Sequence, residues 1–242
     1  MKNNLTLIVA TLALALVCSC SNKPNNETSN ENSAPSAHTQ EGESIEQFNE
    51  IEVAGAMQVF FSQDKNCSLR IEAPQEMKDK IVTSVNGKSL LISTKDEMTG
   101  EDASLPMSDV KVYLTSPLIK DVEVSGSGTF TATSPIEATR FDIDLNGSGN
   151  VILNGLLSCS YLDLELKGSG DIRISESKVD KLEAEVSGSG NINFENITAN
   201  SINSTISGAG NIRLKGTAKT NTQSITGAGK VDITELTVEN AK

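Results

Sequence analysis

A glycine tripeptide, Gly-Ser-Gly or Gly-Ala-Gly, recurs six times in this chain of 242 residues. The copies begin at Gly126, Gly147, Gly168, Gly188, Gly208 and Gly227. Their second glycines are Gly128, Gly149, Gly170, Gly190, Gly210 and Gly229. Successive copies start 21, 21, 20, 20 and 19 residues apart. A period near 20 residues is typical of proteins that stack one structural unit per repeat.

Apolar residues occupy the same positions in every copy. Two residues before the first glycine stand Val124, Leu145, Leu166, Val186, Ile206 and Ile225. Four residues after it stand Phe130, Val151, Ile172, Ile192, Ile212 and Val231. Mostly polar residues separate these positions, and such alternation is the period of a β-strand. Each copy therefore reads as a strand, a glycine corner and a second strand.

The pattern predicts an all-β fold, a parallel β-solenoid with about six regular coils of 19–21 residues over 116–236. The aliphatic columns of stacked coils would merge into one core that no single coil could bury. The corner glycines would supply backbone angles closed to other residues and would let neighbouring corners stack closely. A series of antiparallel hairpins is the alternative.

The first twenty residues have the features of a secretion signal. A basic residue is followed by an apolar run of 13 residues from Leu5 to Val17, interrupted only by two threonines. The run is too short to span a bilayer comfortably, which favours a signal peptide over an anchor helix. Its end resembles a bacterial lipoprotein signal, because the small residue Ser19 precedes Cys20. We expect Cys20 to be the lipidated N-terminus; an ordinary signal peptide with incidental cysteines is the alternative.

Residues 21–44 are rich in Ser, Asn, Glu and Pro and predict a disordered tether that leads into a single domain over 45–242. The only histidine, His38, falls in this tether and is not expected to be a ligand or a catalyst. The expected location is the cell envelope, as an outer-membrane lipoprotein on either face.

The chain is acidic, with 32 Asp and Glu against 20 Lys and Arg, and its formal net charge is −12. This charge argues against nucleic acid and anionic membrane surfaces as partners. The expected link to the membrane is the N-terminal lipid, not the protein surface.

Residues 45–115 predict wider, less regular turns that cap the N-terminal end of the column. Residues 48–61 alternate around a corner at 54–56 and read as a divergent coil. The other expected elements are a strand at 67–73, a turn at 74–80, a hairpin at 80–93 around Asn86-Gly87, a loop at 95–108 and a strand at 110–115.

Two of these stretches resemble a known family. They are Phe48 to Gly55 and Val110 to Gly128, the second reading Val-Lys-Val-Tyr-Leu-Thr-Ser-Pro-Leu-Ile-Lys-Asp-Val-Glu-Val-Ser-Gly-Ser-Gly. With Gly-Ser-Gly-Asn-Ile-Asn at 188–193, they resemble the family called putative auto-transporter adhesin, head GIN domain, over about 45–235. The resemblance implies a right-handed β-helix of unassigned biochemistry, common in Bacteroidota, with an adhesin-like role.

Carboxylates recur at two outward positions of the first four coils. Five residues before the first glycine stand Asp121, Asp142, Asp163 and Glu183, and three before it stand Glu123, Asp144, Glu165 and Glu185. Stacked like charges repel, and two explanations are open. The first is a solvated face that discourages aggregation; the second is a surface for Ca²⁺ or a cationic ligand, since Ca²⁺ takes oxygen ligands.

No catalytic arrangement stands out. The serines of the corners, Ser127, Ser148, Ser169 and Ser189, have no adjacent base to activate them and predict a packing and hydrogen-bonding ladder. Cys67 and Cys159 are expected to be packed thiols, although export permits a disulfide. An enzyme would have to use carboxylates such as Asp142 and Asp163 with Arg173 and Arg213.

We therefore expect a non-catalytic, lipid-anchored envelope protein, a putative adhesin or structural module that binds an unknown protein or glycan. No cofactor is expected beyond the Ca²⁺ option, and a homo-oligomer stays open. A carbohydrate-active or Ca²⁺-dependent glycan-binding β-helix protein is the alternative, weakened by the absence of Trp for sugar stacking.

Overall fold

A computed structural model of the chain describes residues 43–95 and 107–239. Cys20 and most of the expected tether lie outside this range. The elements in chain order are β1 (Glu43–Ser44), β2 (Glu50–Ala54), β3 (Gln58–Gln63), β4 (Ser68–Glu72), α1 (Gln75–Lys78), β5 (Ile81–Asn86), β6 (Ser89–Thr94), a 3-10 turn (Met107–Asp109), β7 (Lys111–Ser116), β8 (Asp121–Gly126), β9 (Thr129–Ala132), β10 (Ile136–Gly147), β11 (Asn150–Gly168), β12 (Asp171–Val186), β13 (Asn191–Ile206), β14 (Asn211–Ile225) and β15 (Lys230–Val238).

The predicted parallel β-solenoid is confirmed. Strands β10 to β15 each pair in parallel with the next strand along the chain, one coil above another. Val151, Ile172 and Ile192 follow one another in register, and all three are fully buried. The antiparallel-hairpin alternative is therefore wrong for the regular coils.

Each regular coil carries three strand segments, which form three faces of the column. The first face precedes the glycine corner, for example 161–168 in β11; the second face follows it, as in 171–174; the third face follows a further bend, as in 176–179. On each face alternate side chains point into the aliphatic core, as the burial pattern of β12 shows.

The backbone ladder continues around the glycine corners. The carbonyl of Gly147 accepts hydrogen bonds from the N–H groups of Ser169 and Gly170 in the next coil, with N···O distances of 2.8 and 3.2 Å. The carbonyl of Gly149 accepts one from Asp171 at 3.2 Å. A Cβ added to Gly168 or Gly170 would lie 2.1 or 2.0 Å from the glycine oxygen of the coil below. The corners therefore need glycine because the coils approach there without room for a side chain.

Only some of the corner glycines have the positive φ angle that other residues avoid. Among the twelve corner glycines φ is positive at Gly126, Gly147, Gly168 and Gly227. No second glycine of any pair has a positive φ, nor do the first glycines of the fourth and fifth coils. Close approach of the coils is the requirement that all these corners share.

The N-terminal end departs from chain order. Strand β2 lies between β6 and β8, and β3 lies between β7 and β9, so the coil that comes first in the chain is covered by β6 and β7 and then by β5 and β4. The outermost layer is antiparallel: β5 pairs with β6, and β4 pairs with β7. The predicted hairpin is confirmed, with Gly87 at φ 66° in its turn.

Polar residues close the C-terminal end of the first face. Asn221 and Gln223 stand in register with the inward-facing Ile202 and Ser204 of the preceding coil. Ile225, expected to join the core, is 45% exposed because no described strand covers it. No helix of the described residues is long and apolar enough to cross a membrane.

Candidate functional site: the acidic groove

The predicted carboxylate files lie side by side on the first face. Strand pairing places Asp121, Asp142, Asp163 and Glu183 in one row and Glu123, Asp144, Glu165 and Glu185 in the other. These residues alternate with the inward aliphatic residues of the same strands, so every carboxylate points outward. The rows continue as Asn203 and Thr222, and as Thr205 and Ser224.

Two further carboxylates join these rows. Glu50 is in register with Asp121, and Glu52 is in register with Glu123, so ten carboxylates line five consecutive coils. The signal was present in the sequence, because Glu50 and Glu52 stand five and three residues before Gly55, the same offsets as in the regular coils. The divergent coil therefore follows the same offsets as the regular coils.

The rows border a solvent-open groove of about 710 Å³. Its walls come from the six coils between Asp121 and Ser224, and its floor includes Ile143, Ala184 and Ser204. We call this region the acidic groove. Its volume is within the usual range for ligand pockets, which runs from about 300 to 1,000 Å³.

Basic side chains neutralise part of this charge. The Arg140 guanidinium donates to Asp142 at 2.8 Å and to Asp163 in the next coil at 3.1 Å. It also lies 4.3 Å from the ring centre of Tyr161. Lys181 reaches Glu183 at 2.8 Å. These contacts reduce the repulsion between the stacked carboxylates of the row that begins with Asp121.

Burial and the repulsion that remains between the carboxylates raise the pKa values of two groove residues. Burial, followed by the charges of Asp142 and Glu50, raises the pKa of Asp121 to about 6. Burial, followed by the hydrogen bond with Glu165, raises the pKa of Asp144 to about 6. The hydrogen bond from Lys167, at 2.7 Å, lowers the pKa of Glu165. In mildly acidic solution Asp144 therefore carries a proton that it shares in a hydrogen bond with the Glu165 carboxylate.

The groove does not contain a formed metal site. Within the described ranges, no group of three or more His, Cys, Asp or Glu side chains has an arrangement that could hold a metal ion. Asp142 Oδ1 is buried in the groove without a hydrogen-bond partner. The stacked geometry puts equal carboxylates one above another, whereas Ca²⁺ needs six to eight oxygens around one point.

The residues considered for catalysis are not brought together. Asp142 and Asp163 lie on the first face, but Arg173 pairs with Asp171 on the second face and Arg213 pairs with Glu235. Both described cysteines are free and buried. Burial and the nearby Asp142 and Asp180 raise the pKa of Cys159 to about 12, so its thiol stays protonated and unreactive.

Solved structures of three bacterial proteins share this fold. A putative adhesin from Parabacteroides distasonis ATCC 8503 is 20% identical with a TM-score of 0.67, covering 82% of this chain and 98% of its own. A putative lipid binding protein from the same strain is 23% identical, with a TM-score of 0.65 and coverages of 81% and 95%. A putative adhesin from Bacteroides fragilis NCTC 9343 is 21% identical, with a TM-score of 0.64 and coverages of 82% and 98%. No curated protein matches the chain.

The family comparison covers nearly all of the described chain. The model of one family matches residues 47–213 and again 162–242, so the overlapping matches include every coil described above. The second match starts within the coils of the first, as expected for a sequence made of repeated coils. The chain belongs to the family described as putative auto-transporter adhesin, head GIN domain.

Proposed function

We propose that this protein is a non-catalytic binding module of the cell envelope, anchored by a lipid on Cys20, that offers its acidic groove to a partner with basic groups. The observation that carries the proposal is the alignment of ten carboxylates over five coils. The raised pKa values of Asp121 and Asp144 mean that the charged ladder costs stability. A cationic partner would offset the part of that cost that comes from repulsion between carboxylates, which gives binding to the groove a physical driving force.

The family supports the same role. Its description and two of the similar structures carry the word adhesin. The groove also lacks an activated nucleophile, since its hydroxyl residues have no described histidine beside them and the cysteine on the neighbouring face is protonated. Rigid stacking of the coils would hold the carboxylates at fixed spacing, which favours a partner whose basic groups have a matching spacing.

Charge-matched variants test the groove. Titration of the full chain with decalysine, measured by calorimetry, should give binding that weakens at least tenfold in a variant with Asp121, Asp142 and Asp163 all changed to Asn. The control variant changes Glu137, Glu176 and Glu195, three exposed carboxylates outside the groove, to Gln. Equal loss in both variants would mean that only net charge matters and would contradict the proposal.

The anchor and the location have their own test. Labelled palmitate should enter the wild-type protein and should not enter Cys20→Ala. Protease added to intact cells should cleave the chain if the groove faces the outside. Unchanged labelling in Cys20→Ala would remove the lipid anchor and leave the groove proposal standing.

Ca²⁺-dependent glycan binding is the second candidate, and the unpartnered Asp142 Oδ1 is the observation in its favour. Thermal melts in millimolar Ca²⁺ and in EDTA decide it. A shift seen with Ca²⁺ and lost in Asp142→Asn supports a cation site; identical melts exclude one at that concentration. A panel of polysaccharides tested for cleavage would detect a carbohydrate-active enzyme.

A further inference from the structure

A second groove lies on the second face, at the N-terminal end of the column. Phe60 on β3 and Tyr113 on β7 are neighbours in register, and both point outward. Their ring centres are 5.2 Å apart and their planes differ by 19°. The groove beside them has a volume of about 390 Å³. We call it the aromatic groove.

Surface aromatic residues are scarce in this protein. The whole chain has six Phe, two Tyr and no Trp. Five of the six Phe are buried, so the half-buried aromatic side chains are only Phe60, Tyr113 and Tyr161. Two of these three stand side by side. Because five of the eight aromatic residues are in the core, this pair on the surface calls for an explanation beyond packing.

The wall of the groove is held in place from behind. The Arg70 guanidinium lies 4.0 Å from the ring centre of Tyr113. Glu72 accepts a hydrogen bond from Tyr113 Oη at 3.0 Å and forms an ion pair with Arg70. On the other side of Phe60 the residue in register is Thr131, which has no aromatic ring to continue the stack. The wall is thus a stack of Arg70, Tyr113 and Phe60 that ends at the phenyl ring.

Hydroxyl groups form the floor. Ser62, Ser68, Thr115 and Thr133 all line the groove. Ser68 Oγ and Thr115 Oγ1 are 2.8 Å apart, and Thr115 Oγ1 donates to the carbonyl of Asn66 at 2.7 Å. Each hydroxyl has two acceptor lone pairs, so these contacts leave capacity for a ligand. The backbone below is paired on both sides, since β7 bonds to β3 and β4, and offers no free edge for a peptide strand.

We propose that the aromatic groove binds a neutral oligosaccharide. A flat apolar wall beside a row of hydroxyls matches a sugar ring, which has an apolar face and a polar rim. We expect the ligand to be neutral because Arg70 is paired with Glu72 and the whole chain has a net charge of −12. A phosphorylated or sulfated ligand would be repelled by the net negative charge of the chain, and Arg70, the basic residue of the groove lining, is already paired with Glu72. The proposal does not depend on the acidic groove.

Tyrosine fluorescence gives a direct readout. Because the chain has no Trp, the background variant Tyr161→Phe leaves Tyr113 as the only tyrosine emitter. The full chain carrying that change is titrated with cellohexaose, maltohexaose, laminarihexaose and mannohexaose in turn. At least one should change the Tyr113 emission in a saturable manner, with calorimetry reporting the same affinity.

Three variants identify the wall as the binding element. Phe60→Thr copies its neighbour Thr131 and should weaken binding at least tenfold, because it removes the ring that the sugar would cover. Tyr113→Phe keeps the stack and, measured by calorimetry because it removes the emitter, should change affinity by less than threefold. The matched control is Ile152→Thr, an outward apolar residue in the same row as Phe60 and Thr131 that does not line the groove; it should bind like the parent.

Several results would overturn the inference. They are the absence of any response to the four hexasaccharides at millimolar concentration, equal binding by Phe60→Thr and the parent, or equal weakening by Ile152→Thr. Preference for a sulfated oligosaccharide over its neutral parent would also contradict it. Failure of the decalysine experiment would refute the acidic groove alone, so the two proposals fail separately.

Discussion

Replacement of a single corner glycine should separate the two reasons for its use, backbone angle and space. Gly170 is buried, its φ is not positive, and a Cβ there would stand 2.0 Å from the carbonyl oxygen of Gly149. Ordinary contact begins at 3.4 Å, so the coils would have to separate locally by more than 1 Å. The neighbouring hydrogen bonds, Gly170 to Gly147 and Asp171 to Gly149, are already 3.2 Å long. They would be lost on such separation.

The cost of Gly170→Ala follows from these distances. Overpacking costs about 1–3 kcal/mol, and two lost hydrogen bonds add about 0.5–1.5 kcal/mol each. The expected destabilisation is therefore about 2–6 kcal/mol. In a domain of this size each kcal/mol lowers Tm by about 2–4 °C, so the melting temperature should fall by about 10 °C.

Three control variants isolate the steric cause. Gly168→Ala meets a similar clash of 2.1 Å and adds a positive φ of 137°, so it should cost more than Gly170→Ala. Gly87→Ala has a positive φ of 66° with nothing within 4 Å and should cost about 1–2 kcal/mol from backbone strain alone. Ser169→Ala, at an exposed corner position where later coils have Ala209 and Ala228, should be neutral within about 0.5 kcal/mol.

Thermal melts followed by circular dichroism, with urea titration as a second measure, give the ranking. The expected order of damage is Gly168→Ala, Gly170→Ala, Gly87→Ala and then Ser169→Ala. The reasoning fails if Gly170→Ala is no worse than Gly87→Ala, because angle rather than space would then explain the corners.

Three further predictions concern polar groups along the column. Ser204 is 1% exposed and its hydroxyl has no partner, so Ser204→Ala should raise the free energy of unfolding by about 1 kcal/mol, measured by urea titration; a loss would mean that the hydroxyl is bonded in solution. Asp121 and Asp144 have folded pKa values raised to about 6 from 3.8, so the stability they contribute when protonated is complete below 3.8 and lost as the pH rises through 6. Tm of the wild type should therefore rise as the pH falls from neutral towards 5, and the double change to Asn should flatten this slope; a parallel slope in the variant would refute the assignment. Arg140→Gln removes the cation that bridges two coils at 2.8 and 3.1 Å and should lower the urea midpoint slightly, because solvent screens an exposed ion pair; the difference should shrink in high salt, and a salt-independent loss would indicate packing against the tyrosine ring instead.

The regular coils could be predicted from the sequence because each coil of a β-solenoid repeats the same pattern of apolar, polar and glycine residues. The alternation around Gly147 and Gly168 set which side chains point inward, and equal spacing placed Asp142 over Asp121 and under Asp163. Once the coils are stacked in register, a position in one coil has the same neighbours in the next. The eight predicted carboxylates therefore lie in two rows, and the same offsets before Gly55 add Glu50 and Glu52 to them.

The strand order at the N-terminal end of the column could not be predicted in the same way. Alternation marked residues 48–61 as a coil, yet nothing local says that β2 and β3 are enclosed between strands that come much later in the chain. That order places Phe60 beside Tyr113 and Arg70 beside Tyr113, and so creates the aromatic groove. By itself the sequence determined the coil, its period and its two outward acidic files, because each depends on near neighbours in the chain. The tertiary structure alone decided the order of the end strands and the residues that meet across them, because that pairing is set by which distant segments bury their apolar faces best against the end of the column.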